Sequence, residues 1–242
     1  MNLNPVSRPC PTLPPAALLL VLVLLCQCAG PPRPSGPEPL PGAGAHAARW
    51  TRVTAKLARA APSDDRGKMV TWQFSLRDAR GVNARSWPDG RVEVNCGTLP
   101  FVLNDGELAA VVAHEMAHVT GGHHRRQIAE SWGNLVTGAA LAVVASRQGR
   151  ETGSAAALAA GSVLTVNLTA LAARRRARET EADRISLGMM RLAGYPPQAA
   201  VDFWERYSAT RLAHGHSSGH WWQSHPADSE RIRRLRLMVA AR

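Results

Sequence analysis

The sequence predicts a mainly helical α/β domain of the α+β kind, with a small antiparallel sheet or hairpin beside one central helix. Three observations carry this. Residues 70–76 and 92–95 alternate apolar and polar side chains, as half-buried strands do, and "WPDG" at 87–90 has the turn chemistry to join two strands. Residues 104–122 hold a capped, largely apolar helical stretch ending on a glycine pair. The rest reads as further helices without an internal repeat.

The chain opens on segments that belong to export rather than to the fold. Arg8, a proline-rich stretch and the apolar "AALLLVLVLLCQCA" from Ala16 have the layout of a secretory signal, and the run is short for a bilayer span. Residues 1–29 are therefore expected to be a signal peptide. Cys26 and Cys28 end the apolar run, as a lipid-modified cysteine would, although Leu25 and Gln27 before them are not the small residues of a lipoprotein signal. Residues 30–45, with "PPRPSGPEPLPGAGA" from Pro31, read as a flexible linker. That leaves 46–242 for one domain, long enough for a core without staples. Past the leader the one cysteine is Cys96, so no disulfide framework is expected; it lies in a strand-like run and reads as a small buried hydrophobe.

Each element of the domain has its own signal. Trp50, Val53 and Leu57 share one side of a helix over 49–61. Val70, Trp72, Phe74 and Leu76, then Val92 and Val94, are the inward positions of strands. Asn104 caps the next helix, with Glu107 three residues on, close to a capping box. Leu108, Val111, Val112, Glu115 and Val119 fall in one sector of it, and Gly121-Gly122 end it. Two small-residue helices follow, "LVTGAALAVVAS" and "AALAAGSVLTVNLTALAA", with a glycine/charge break at 147–154. Thr, Ser and Asn interrupt the longer one too often for a membrane span, which leaves packing helices or a lid over the site. Further helices are expected at about 178–193 and 197–212, and a basic one from about 227.

The formal net charge is +11, of which Arg8 accounts for one unit. The one dense basic run, "AARRRARE" at 172–179, comes without a finger, RNP-type or basic-zipper pattern, so nucleic acid is not the expected partner. For an exported chain, anionic lipid or acidic partners fit this charge better.

The chemistry concentrates in "HEMAH". His114 and His118 are four residues apart, one helical turn plus about 40°, so both imidazoles leave one face at metal-ligand spacing. Glu115 reaches a water in the metal's open position without itself binding the metal. This is the H-E-x-x-H arrangement, in which zinc acidifies the water and the glutamate takes its proton. Zinc then needs a third protein ligand. Glu179, Glu181, Asp183, His123, His124 and the distant histidines are the candidates. In "RETEADRISLGMM", Glu179 and Asp183 are i, i+4 partners, whereas Glu181 points about 200° away from Glu179. Glu179 is thus expected as ligand and Asp183 as the carboxylate that orients a ligand histidine, with one zinc per chain. His123 and His124, past the glycines, are expected at a helix end as His⁺ bonding free carbonyls. In "SHPADSERIRR", proline restricts His225 to extended backbone. Arg231, six residues on, then either faces the same cavity or leaves the histidine to cap a turn beside Trp221 and Trp222.

"HEMAHVTGGH" followed some sixty residues later by "ETEADRISL" resembles the HtpX/BepA/Oma-type zinc metallopeptidases, metallopeptidase family forty-eight, which includes the CAAX prenyl proteases. "NARSWPDGRVEVNCGTL" is similar to the family's hairpin before the metal helix, and "SHPADSERIRRL" to its downstream His-Pro segment. The resemblance covers about residues 46–240. It implies a gluzincin-like domain with His114, His118 and Glu179 on the metal and Glu115 as general base. It also implies that His225 and Arg231 lie beside the metal, where they stabilise an oxyanion or where His225 fills the open position at rest. The family has exported members in bacterial envelopes that degrade misassembled proteins. Pro88-Asp89-Gly90, Cys96-Gly97 and the alanine-rich helices depart from its commoner residues, which bears on substrate preference.

The expected function is therefore a zinc endopeptidase of the bacterial cell envelope, periplasmic or lipid-anchored through Cys26 or Cys28, at or near a membrane surface. Its substrates are unfolded or misassembled proteins, lying as an added strand along the edge of the 82–96 hairpin. Two rivals are a non-proteolytic assembly factor that keeps zinc structurally and a basic lipid- or nucleic-acid-binding protein.

Overall fold

The structure, a computed structural model, describes residues 43–147, 153–214, 225 and 229–241. The expected signal, Cys26, Cys28, most of the linker and the Trp221-Trp222 pair lie outside them. Helix α1, Ala43–Ala60, begins three residues inside the expected linker and buries Trp50, Val53 and Leu57 against the core.

Three strands follow: β1 (Gln73–Arg77), β2 (Ala84–Ser86) and β3 (Arg91–Asn95). The hairpin forms as expected. β2 pairs antiparallel with β3, and the Gly90 amide donates to the Trp87 carbonyl at 3.1 Å across the "WPDG" turn. Gly90 sits at φ +90°, and a Cβ there would meet the Thr71 carbonyl oxygen at 2.4 Å, so only glycine fits. The sheet as a whole is mixed, however, not antiparallel. Its order is β1-β3-β2, and β1 runs parallel to β3. Alternation fixes which face of a strand is buried; it carries no information on partner direction. Val92 and Val94 are fully buried on the sheet's inner face. Cys96 starts a 3-10 helix, Cys96–Phe101, and is only partly buried, which corrects the strand-core expectation. The strand stops at Asn95, whose side-chain amide turns aside to donate to the Gly81 carbonyl at 2.9 Å.

Helix α2, Asp105–Thr120, is the centre of the domain. Asn104 Oδ1 accepts from the Glu107 amide at 3.0 Å, and the Glu107 carboxylate accepts from the Leu103 amide at 2.7 Å, one residue earlier than a capping box would place it. Residues Gly106 to Thr120 are all buried. The expected single apolar sector is thus a whole circumference, because the strands β2 and β3 and helices from both ends of the chain surround it.

After the Gly121-Gly122 turn come α3 (His123–Arg147), α4 (Gly153–Leu192), α5 (Gln198–His214) and α6 (Ser229–Ala240). α4 is one helix of 40 residues where two were expected. Arginine is a good helix former, and no glycine or proline falls between Gly161 and Gly188, so the basic run does not interrupt it. α2 packs against α1, α4 and α5, and α6 against α4 and α5. The described beginning of the small-residue stretch is not a buried packing helix: Val136 is 67 % exposed, and Trp132, three residues before the stretch, is 52 % exposed. Among the described residues no helix is long and apolar enough to cross a membrane.

Candidate metal centre

Where α2 faces α4, four side chains from three parts of the chain converge. His114 and His118 leave one face of α2, Glu179 comes from α4, and His225 from the segment before α6; all four are buried. Their ligand atoms lie within 4.8 Å of one another. His114 Nε2 is 3.2 Å from Glu179 Oε2, from His118 Nε2 and from His225 Nδ1. His225 Nδ1 is 2.9 Å from Glu179 Oε2, and His118 Nε2 is 3.5 Å from Glu179 Oε1. One N–H can point at only one of three such neighbours, so lone pairs meeting at a point are the donor set of a cation. Ligands about 2.0–2.1 Å from a tetrahedral zinc are about 3.3–3.4 Å apart, inside the observed spread. The donor set fits the metal.

Behind these atoms lies a ring of supports. His114 Nδ1 is 3.1 Å from Asp183 Oδ1. Arg231 donates to both Asp183 oxygens, from Nε at 2.9 Å and Nη2 at 2.7 Å, and its Nη1 is 3.5 Å from Glu179 Oε2. The guanidinium lies 3.8 Å from the centroid of Trp204 on α5, which supports it through a cation–π contact. On the other ligand histidine, His118 Nδ1 is 2.8 Å from His123 Nδ1.

Glu115 is buried on the same helix. The Ser86 hydroxyl of β2 donates to its Oε2 at 3.1 Å, while Oε1 lies 3.5 Å from His225 Nε2. Ser86 Oγ in turn is 3.2 Å from His124 Nε2. β2 therefore borders the site through the Ser86 side chain.

The charges are strongly coupled. Burial and Arg231 both oppose a proton on His114, but its bonds to Asp183 and Glu179 outweigh them and lift it to about 9. Burial and the neighbouring His114 hold His118 well below the usual histidine range. For Glu179, burial raises the carboxyl, yet the His225 charge and the His114 hydrogen bond hold it well below the carboxylate range. Asp183 is lowered against its burial by Arg231 and His114. The pocket thus keeps both carboxylates ionised, and a metal cation binding there takes the place of the proton they hold on His114.

The expectation for His123 and His124 needs correction. Gly122, at φ +65°, turns the chain so that these residues start α3 rather than end α2. Their positive charge would face the positive end of a helix dipole. Burial lowers both, His123 to about 4, so neither is the His⁺ that the sequence suggested. On α4, Glu179 and Asp183 at i and i+4 are buried together, and Glu181 sits on another face with its side chain 34 % exposed. Sequence reasoning missed Ser86, Trp204 and the inward turn of His123. Only the last had a signal, the glycine pair that lets the chain double back.

The sequence profile described as "Peptidase family M48" matches residues 45–239. The chain is 34 % identical over 169 residues to the mitochondrial metalloendopeptidase OMA1 of Schizosaccharomyces pombe, covering 69 % of this chain and 46 % of that protein. It is 30 % identical over 142 residues to the beta-barrel assembly-enhancing protease of Yersinia pestis, covering 56 % and 28 %. With the metalloprotease LoiP of Escherichia coli the identity is 27 % over 185 residues, covering 76 % and 69 %. The matched span is thus less than half the length of the first two relatives and about two thirds of the third.

Proposed function

This chain belongs to peptidase family M48, whose members are metal-dependent peptidases, and on that premise we propose that it is a zinc endopeptidase of the bacterial cell envelope. Its substrates on this reading are unfolded or misassembled proteins. One observation carries the proposal: four buried ligand atoms converge on a point beside the carboxylate of Glu115. When bound by His114, His118 and Glu179, zinc supplies the Lewis acidity that acidifies a water and polarises a scissile carbonyl.

The residues of the chain do the rest. Glu115 accepts the proton of the attacking water and passes it to the leaving amine. Ser86 fixes one carboxylate oxygen and leaves the other turned toward the site. Asp183 orients His114, and Arg231 holds Asp183 while bringing positive charge to within 3.5 Å of Glu179. That charge stabilises the oxyanion that develops during attack, while His225 fills the open position at rest. The substrate backbone extends the sheet beside β2, whose one strand neighbour among the described residues is β3. Export by residues 1–29, a linker over 30–45, a peptidase domain over 46–242, and association with a membrane surface, through lipid on Cys26 or Cys28 where present, complete the reading. The beta-barrel assembly in the name of the Yersinia pestis relative supports an envelope location. In a proteolysis assay on a casein-like unfolded protein, a chelator should abolish cleavage and zinc should restore it. Cleavage indifferent to chelation would defeat the proposal.

A second reading has one observation in its favour. His225 gives the group a fourth protein ligand, and zinc closed by four protein ligands is the pattern of a structural site. We assign His225 instead to a resting plug, because a structural site has no use for a base as well placed as Glu115. His225→Ala frees the open position and should raise turnover several-fold with zinc retained. Loss of zinc together with fold in that variant would favour the structural reading.

A further inference from the structure

The His123 side chain is absorbed by nothing in the mechanism above, yet it is buried and touches a ligand histidine. We infer that His123 is a positioning residue for His118: it accepts a hydrogen bond from the outer ring nitrogen of His118 and so fixes the tautomer and ring plane in which His118 meets the metal. The inference rests on the metal-centre reading given above.

The two ring nitrogens of His118 face different partners. Its Nε2 faces His114 Nε2 and Glu179 at 3.2 and 3.5 Å, and so is the atom turned to the metal. A neutral imidazole that binds through Nε2 carries its proton on Nδ1. That N–H needs an acceptor in a buried place, and His123 Nδ1 is 2.8 Å away. His123 must then hold its own proton on Nε2. This nitrogen lies 3.3 Å from Glu181 Oε2, side-on rather than in line for a hydrogen bond, and Arg126 donates to the same oxygen at 3.1 Å. A carboxylate there favours the proton on Nε2 and leaves Nδ1 as the acceptor.

The backbone is shaped for this contact. Gly122 at φ +65° reverses the chain, and a Cβ at Gly121 would lie 2.7 Å from His123 Nε2. The glycine pair therefore lets the fifth residue after His118 fold back onto it. The relay is the counterpart of Asp183 behind His114, built from a neutral ring instead of a carboxylate. Ligand histidines commonly have such an acceptor, and its loss weakens metal binding by about ten- to a hundredfold.

The test measures equilibrium zinc affinity of the full chain by competition with a chromophoric chelator, in wild type, His123→Leu and His123→Asn. Leucine has comparable bulk and no acceptor, whereas the asparagine Oδ1 stands where Nδ1 stood. We expect about ten- to a hundredfold weaker zinc binding in the leucine variant and recovery to within about threefold in the asparagine variant. The d–d spectrum of the cobalt(II)-loaded protein should shift in the first and match wild type in the second. Wild-type affinity in His123→Leu, or equal losses in both variants, overturns the relay and leaves the metal centre standing. A wild-type chain that binds no zinc overturns the metal centre and the relay together. Should the leucine variant fail to fold, His123→Ala set against His123→Asn makes the same comparison with a smaller side chain, and the same two outcomes decide it.

Discussion

The two ligand histidines of α2 stand one turn apart and are held from behind in opposite ways. Behind His114 is a buried ion pair: Asp183 faces its Nδ1, Arg231 grips both oxygens of Asp183, and Trp204 covers the guanidinium. Behind His118 is a neutral ring, His123, with Glu181 and Arg126 beyond it at the half-exposed rim. The first support draws on Asp183 of α4, Trp204 of α5 and Arg231 of α6, each more than sixty residues away in sequence. The second comes from a turn five residues on. A distant support ties the ligand to the integrity of the whole domain, whereas a local one adjusts a single ring.

That contrast can be broken by substitution. The largest expected effect is Arg231→Met. The side chains of Arg231 and Asp183 are 1 % and 3 % exposed, so removing the arginine strands a buried carboxylate. Asp183 keeps His114 as a partner, so the cost should lie toward the lower end of about 3–5 kcal/mol of folding stability, read by denaturant unfolding of the metal-free protein. His123→Leu on the same scale should cost about 1–3 kcal/mol, the penalty for one unmet buried donor. Equal costs would erase the difference between the two supports.

A smaller change in the fold, but a clear one in the metal, comes from α4. Glu179→Ala should bring bound zinc sharply below one per chain, because the ligand group loses its one carboxylate and keeps only neutral imidazoles. Glu181→Ala should leave it near one at saturating zinc, because that side chain reaches the site only through His123. Equal loss from both would mean that the ligand face of α4 has been misassigned.

Much of this was legible in the sequence wherever short-range geometry decides. The i, i+4 spacing of His114 and His118, and of Glu179 and Asp183, brings each pair to one face as a property of the helix itself. The Asn104 cap and the "WPDG" turn are equally local, and the structure has both. What escaped depended on partners far along the chain. Alternation in 70–76 could mark a strand but not that β1 would lie parallel to β3. Ser86 meets Glu115 across 29 positions, and Trp204 meets Arg231 only because α5 and α6 cross there. His123 and His124 were misjudged for a different reason. A glycine pair marks the end of one helix, but here it also begins the next, which reverses the sign of the dipole they face.

The central claim is that the converging ligands serve catalysis, with Glu115 as the proton acceptor. It is tested most directly by measuring zinc content and hydrolysis of an unfolded protein in the same preparations of wild type and Glu115→Gln. The amide keeps the shape of the side chain and its bond from Ser86 but cannot take a proton. About one zinc per chain in both, with hydrolysis lower by several orders of magnitude in the variant, is the predicted result. Undiminished cleavage by a zinc-loaded Glu115→Gln protein would contradict it.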